Sequence, residues 1–142
     1  MYKRQVDVYI QGTGYVASTA NLRTAVQDFL NNGVVNGVSV SPWFAQFAVQ
    51  TETRTAYTID GTITYQNPAT EASIAAAITA QELTERRLGR TVDASRFVGA
   101  ALGVLGVISA TLTLTPTPPA GSNDTVYVGS IGTITYTAGT II

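Results

Sequence analysis

The sequence predicts an α+β domain: a mixed β-sheet with helices packed on one face, in the order β-α-β-β-α-α-β-β. Three observations carry this. Residues 57–65 and 108–115 alternate apolar with mostly hydroxyl-bearing side chains, the period-two signature of strands with one buried face. Residues 22–30 and 97–105 place apolar side chains at i, i+3, i+4, i+7 and i+8, the stripe of a helix lying on a core. Asn, Gly and Pro clusters punctuate the segments between them.

Val6-Asp7-Val8-Tyr9-Ile10 opens the chain as a strand with Val6, Val8 and Ile10 on one face, and Gly12-Thr13-Gly14 ends it. Ser18 and Thr19 supply cap hydroxyls for a helix whose stripe is Leu22, Ala25, Val26, Phe29 and Leu30. Asn31-Asn32-Gly33 closes that helix with residues suited to a left-handed cap, and Val34-Val35 with Val38-Ser39-Val40 forms a short extended piece. The clearest strand sets Tyr57, Ile59, Gly61, Ile63 and Tyr65 against Thr58, Asp60, Thr62 and Thr64. Asn67-Pro68 is expected to start the next helix, as cap and first helical residue. The Ala-rich run from Thr70 to Leu88 has strong helix propensity and a blurred stripe, so contact on more than one side is expected.

Asp93 caps a further helix carrying Phe97, Ala100, Ala101, Val104 and Leu105, with Gly99 and Gly103 spaced for close packing, and Gly106 breaks it. Ile108, Ala110, Leu112 and Leu114 then alternate with Ser109, Thr111, Thr113 and Thr115. A Pro-rich loop over 116–124 leads to the closing extended segments 126–128 and 132–137. The connection between the strands at 57–65 and 108–115 is long enough for a crossover, so these two are expected to run parallel if they share a sheet. Helices on one side leave the Thr-rich side for water or a partner. Thr58, Thr62, Thr64, Thr111 and Thr113 on that side are therefore candidate interface residues.

At 142 residues one domain is expected over 1–142, with sub-lobes 1–50 and 51–142 as its natural division. Cysteine and histidine are both absent, which removes thiol nucleophiles, the commonest general base and the best soft metal ligands. The chain is expected to be no enzyme and to hold no cofactor or metal. Charged residues make up 12% of the chain, against about 25% in ordinary soluble proteins. So low a charge suits a surface partly covered by other subunits. A net charge of −1 gives no pull towards nucleic acid or anionic lipid. Neither a membrane span nor a secretory leader is expected. Arg86, Arg87, Arg90 and Arg96, interspersed with Glu82 and Glu85, read as a solvated helix face.

Chemical motifs are weak. Gly12-Thr13-Gly14 lacks the third glycine of a dinucleotide fingerprint, position 17 being Ala17, and reads as a strand-ending turn. Asp7 and Asp60 would form a glycosidase-like carboxylate pair only if their strands were neighbours. The segment 42–49 holds Trp43, Phe44 and Phe47 with no clean period. Two readings of it stand open: a satellite core folded under the sheet, or an aromatic patch buried in a subunit contact.

Taken in order, these parts resemble the C-terminal region of baseplate J-like proteins, wedge components of Mu-type contractile phage tails and related injection systems. The likeness rests on several stretches: Thr62-Ile63-Thr64-Tyr65-Gln66-Asn67-Pro68 before an Ala-rich helix; Leu88-Gly89-Arg90-Thr91-Val92; Asp93-Ala94-Ser95-Arg96-Phe97 opening a helix that ends in Leu105-Gly106-Val107; and Gly132-Thr133-Ile134-Thr135 near the close. The stretch from Pro42 to Thr55 is longer than the family's pattern would place between its strand segments. The resemblance implies a structural component of a phage or prophage tail baseplate, contacting other tail proteins and copies of itself, without nucleic acid or membrane. It also implies a location in the virion tail, and in the host cytoplasm during assembly. Two rival readings remain: a glycan- or host-surface-binding tail-fibre module using Trp43 and exposed tyrosines, and a small hydrolase using Asp7 and Asp60.

Overall fold

The computed structural model describes residues 4–12, 14, 16–35, 37–39 and 45–139. They form β1 (Arg4–Tyr9), α1 (Ala20–Asn32), β2 (Val34–Val35), β3 (Val38–Ser39), β4 (Ala45–Gln50), β5 (Thr53–Tyr65), α2 (Glu71–Glu85), α3 (Ala94–Leu102), β6 (Val107–Thr115) and β7 (Thr125–Ala138). The fold is α+β with both parallel and antiparallel strand pairs, as expected. It divides into two compact units, Met1–Thr53 and Arg54–Ile142.

In the first unit β1 pairs in parallel with β4, from Arg4 opposite Ala45 to Tyr9 opposite Gln50. The strand β4 was not legible as such, because its alternation of Phe47 and Val49 with Gln46, Ala48 and Gln50 is short and follows an irregular aromatic run. The Val-rich extended piece is a two-rung antiparallel hairpin of β2 and β3. Thr19 caps α1 as expected, its hydroxyl accepting the Leu22 N–H at 3.1 Å. At the other end Gly33 is the cap residue but is extended (φ −69°), so no left-handed residue closes the helix.

The helix α1 runs antiparallel along β4 and satisfies that strand's backbone with side-chain amides. Asn31 accepts the Phe47 N–H through Oδ1 at 2.7 Å and donates from Nδ2 to the Phe47 carbonyl at 2.8 Å. Gln27 accepts the Val49 N–H at 3.0 Å. The fit follows from geometry: four helical residues advance about 6 Å, and two strand residues advance about 6.6 Å. The helix therefore docks by its polar amides. Its apolar stripe is not buried, contrary to expectation: no residue of α1 is buried, Leu22 is 38% exposed and Phe29 51%.

The second unit is built on a three-stranded sheet in the order β6-β5-β7. The β5 and β6 strands are antiparallel, Thr58 opposite Thr115 and Tyr65 opposite Val107, which corrects the parallel pairing expected from the long connection. One crossover helix would bring the chain back to the start of β5, whereas two in succession return it to the end it left. That return is closed by the Gln66 N–H donating to the Gly106 carbonyl at 2.8 Å. Gly106 has φ +104°, and a Cβ there would lie 2.4 Å from the Gln66 carbonyl oxygen, so only glycine fits the closure. Contacts between β5 and β7 rise together along both strands: Tyr57 with Gly129, Asp60 with Thr133, Tyr65 with Gly139. That is the order of a parallel pair.

One face of this sheet carries Tyr57, Ile59, Ile63, Leu112, Leu114 and Tyr127 into a core completed by Ile74 and Ile78 of α2 and Phe97 and Ala101 of α3. Tyr57 and Phe97 meet as tilted rings with centroids 6.2 Å apart. The start of α2 is not at Asn67-Pro68. Those two residues sit in a turn closed by the Ala69 N–H on the Gln66 carbonyl, and Thr70 with Ser73 forms a reciprocal capping box. Burial on α2 falls on one stripe, Ile74, Ile78, Glu82 and Glu85, rather than on several sides. The stripe looks blurred in sequence because its second half is charged. Asp93 caps α3 as expected, but the helix ends at Leu102 with Gly103 as its cap, leaving Leu105 78% exposed. Gly99 is exposed with nothing near its Cβ position, so the expected close packing there is absent.

Candidate functional site

The pairing of β5 with β6 gathers the five candidate threonines, and Asp60 with them. Thr58 stands opposite Thr115, Asp60 opposite Thr113 and Thr62 opposite Thr111, with Thr64 opposite Ser109. Thr62, Thr111 and Thr113 are exposed, and Thr58 and Thr64 half-buried. The face is knitted by its own hydroxyls: Thr58 donates to Asp60 Oδ2 at 2.9 Å and to the Thr115 carbonyl at 3.2 Å, and Thr113 to the Asp60 carbonyl at 3.4 Å.

Asp60 also accepts the Thr133 backbone N–H on Oδ1 at 2.7 Å, joining the face to β7. That backbone donor, with the Thr58 hydroxyl next in weight, holds its carboxyl below the ordinary 3.8. It therefore stays ionised as an acceptor and is not poised to take up a proton near neutral pH. Asp7 is exposed on β1, where Gln5 and Gln50 donate to its Oδ1. β1 pairs with β4 in one sheet while β5 lies in another, so the strand adjacency on which a carboxylate pair depended is not present.

The charged group read as a solvated helix face is solvated only in part: Arg87 and Arg96 are exposed, whereas the two acids are buried in an ion-pair cluster. Glu82 and Glu85 are 2% and 0% exposed. Glu85 accepts from Gln81 Nε2 at 2.7 Å, Arg90 Nε at 2.9 Å and Arg96 at 3.0 Å. Burial alone would push its carboxyl up, but hydrogen bonds from Arg90 and Gln81 and the charges of Arg90 and Arg96 bring it below the ordinary 4.5. Glu82 takes Arg86 Nε on both oxygens, at 2.7 and 2.9 Å, and the backbone N–H of Gly129 on Oε1 at 2.7 Å. The arginines lie about one third exposed and cover the acids with their stems. Position 129 needs glycine for space: a Cβ there would sit 2.5 Å from the Tyr57 ring.

Beside this cluster opens a cavity of ≈ 270 Å³, walled mainly by Ile59, Glu82, Arg86, Gly129, Ser130 and Ile131. Its one carboxylate is already held by two protein donors, so the cluster works as a clamp between α2 and β7. Tyr57 reaches the same region, its hydroxyl buried with no hydrogen-bond partner. Burial first, then the Glu82 and Glu85 charges, push that phenol well above its usual range. The sequence held one signal for the cluster: Glu82 and Glu85 continue the spacing of Ile74 and Ile78.

In the first unit Phe47 is half-buried on β4, its backbone bracketed by Asn31. Trp43 and Phe44 lie outside the described residues, as do Thr13, Val40 and Pro42. Each described tyrosine is buried or half-buried, so the exposed rings of the glycan-binding reading are not found among them. The buried residues described in this unit are both polar. Glu52 accepts the Ser18 N–H on Oε1 and the Ser18 hydroxyl on Oε2, each at 2.8 Å. Among the described residues of the unit no apolar side chain is buried, whereas Val16, Phe29, Val34, Val35 and Val38 are each at least half exposed.

No protein-family model matches this chain, and no curated protein matches it.

Proposed function

We propose that this chain is a structural subunit whose work is to bind other proteins, of the kind found in contractile tail baseplates of phages or prophages. One observation carries the assembly part of that reading. Among its described residues the first unit is held together by the β1–β4 pairing, side-chain amides and the Ser18–Glu52 contact; it buries no apolar side chain and leaves Val16, Phe29, Val34, Val35 and Val38 at least half exposed. Apolar surface of that kind ordinarily marks a contact with another molecule. The polar face of β5 and β6 and the acid clusters add support of a negative sort, since Asp60, Glu82 and Glu85 are all committed to protein donors. The baseplate context rests on the sequence resemblance alone.

Hydrogen exchange on the dilute isolated chain tests the assembly reading. Amides of α1 and the β2–β3 hairpin are expected to exchange at least about a hundredfold faster than those of β5 and α2, as in a segment that opens locally without its contacts. Equal protection of both units would remove the reading. The coding neighbourhood tests the baseplate part separately: genes for tail sheath, tube or other wedge proteins should flank this one, and a neighbourhood without tail genes would overturn it.

A further inference from the structure

Among the described residues β6 and β7 are the two edges of the second unit's sheet, each with β5 as its one strand neighbour. Edge strands in monomeric proteins are usually blunted by a lysine, a proline or an inward charge, because their free N–H and C=O groups otherwise template another strand. Neither edge here is blunted: Val107–Thr115 and Thr125–Ala138 contain no charged residue and no proline. The longer of the two is β7, and residues 130–133, 135, 137 and 138 along it are exposed.

The direction of the backbone groups follows from one contact. The Gly139 N–H goes to the Tyr65 carbonyl, so Gly139 turns its backbone towards β5. Counted back from there with period two, Thr137 and Thr135 do the same, while Ala138, Tyr136 and Ile134, the last two packed against the core, turn their backbone outward. Thr133-Ile134-Thr135-Tyr136-Thr137 also reads nearly the same in both directions. Folded antiparallel on itself about Thr135, it sets Thr133 against Thr137 and Ile134 against Tyr136. The outward-facing residues then form the hydrogen-bonded pairs, and Thr135 meets its own copy in a close, non-hydrogen-bonded pair. The same operation on β6 about Thr111 sets Ala110 against Leu112 and Ser109 against Thr113, a poorer match in size.

We propose that β7 is a self-association edge, pairing antiparallel with β7 of a second copy about a two-fold axis at Thr135. The contact is isologous, the form most homodimers take. It brings no like charges together and sets threonine against threonine, a favourable cross-strand pair. Two three-stranded sheets become one of six strands, with an uninterrupted threonine face on one side. This inference rests on the assembly reading but uses a different surface, in the second unit, so the two can fail separately.

Sedimentation equilibrium on the full chain tests it with two lysine variants at exposed positions. Wild type should dimerise reversibly. Thr135→Lys places two ammonium groups opposite each other at the axis and should weaken association by about tenfold or more, while Thr111→Lys on the other edge should leave it unchanged. Since the chain has no cysteine, Thr135→Cys gives an independent readout: mild oxidation should yield a covalent dimer, and Thr111→Cys should not. A wild type that stays monomeric at all concentrations, association unaltered by Thr135→Lys, or no crosslink through Thr135→Cys would each overturn the β7 contact. Association that survives Thr135→Lys would leave the assembly reading standing.

Discussion

Tyr57 is the residue at which chemistry and packing disagree. Its ring is part of the core against Phe97, yet its hydroxyl is buried without a partner near two carboxylates. An unsatisfied buried hydroxyl costs about 1–3 kcal/mol. Tyr57→Phe keeps the ring and removes that group, so it should stabilise the protein by about 1 kcal/mol, measured as a higher urea midpoint at unchanged slope; a lower midpoint would mean that the hydroxyl has a partner in solution. Residues of this kind were only half legible. The place of Tyr57 in the apolar face of β5 followed from alternation, as did the exposure of Thr62, Thr111 and Thr113. The convergence of Arg90 and Arg96 on Glu85 did not. It depends on a turn and a second helix folding back onto α2, and nothing in local spacing records that.

At the scale of elements, α1 and β4 show a helix attached to a strand by side-chain amides in place of an apolar seam. Asn31→Ala removes the groups that satisfy both the N–H and the C=O of Phe47, which should cost roughly 1–3 kcal/mol. Exchange at the Phe47 amide should speed up, while the Val49 amide, held by Gln27, keeps its protection. Equal rates in variant and wild type would show that the ladder does not form. Periodicity locates α1 and its Thr19 cap but not the face that docks, because apolar spacing marks a stripe and the contact is made by amides. The direction of β6 against β5 escapes the sequence for a related reason. Connection length indicates that a crossover is possible, while strand direction depends on the number of helices that fill it.

At the scale of the whole molecule the acid clusters set how stability responds to pH. The folded-state values of Asp60 and Glu85 both lie below their ordinary 3.8 and 4.5. The unfolded chain therefore binds more protons in that range, and stability must fall as pH falls. Both contributions are complete above about pH 5, begin to be lost as pH drops through the ordinary carboxylate range, and vanish below the folded values. Denaturation midpoints between pH 7 and pH 2 should show this decline. Glu85→Gln should be less stable at pH 7 by roughly 2–4 kcal/mol, somewhat under the cost for a fully buried pair because its arginines are partly hydrated. Its decline below pH 4.5 should also be shallower. Parallel pH profiles for variant and wild type would contradict the lowered carboxyl.

The closure at Gln66 and Gly106 bears on the order in which the second unit takes shape. Tyr65 and Val107 are neighbours in space, but α2 and α3 lie between them in the chain. Bringing the ends of so long a flexible loop together costs about 3 kcal/mol of chain entropy before a single β5–β6 bond forms. Helices made of local contacts form faster than such distant strand pairs, and each turn of α2 or α3 shortens the span still to be closed. The two helices are thus expected to form ahead of the sheet they cover, so that the threonine face takes shape late.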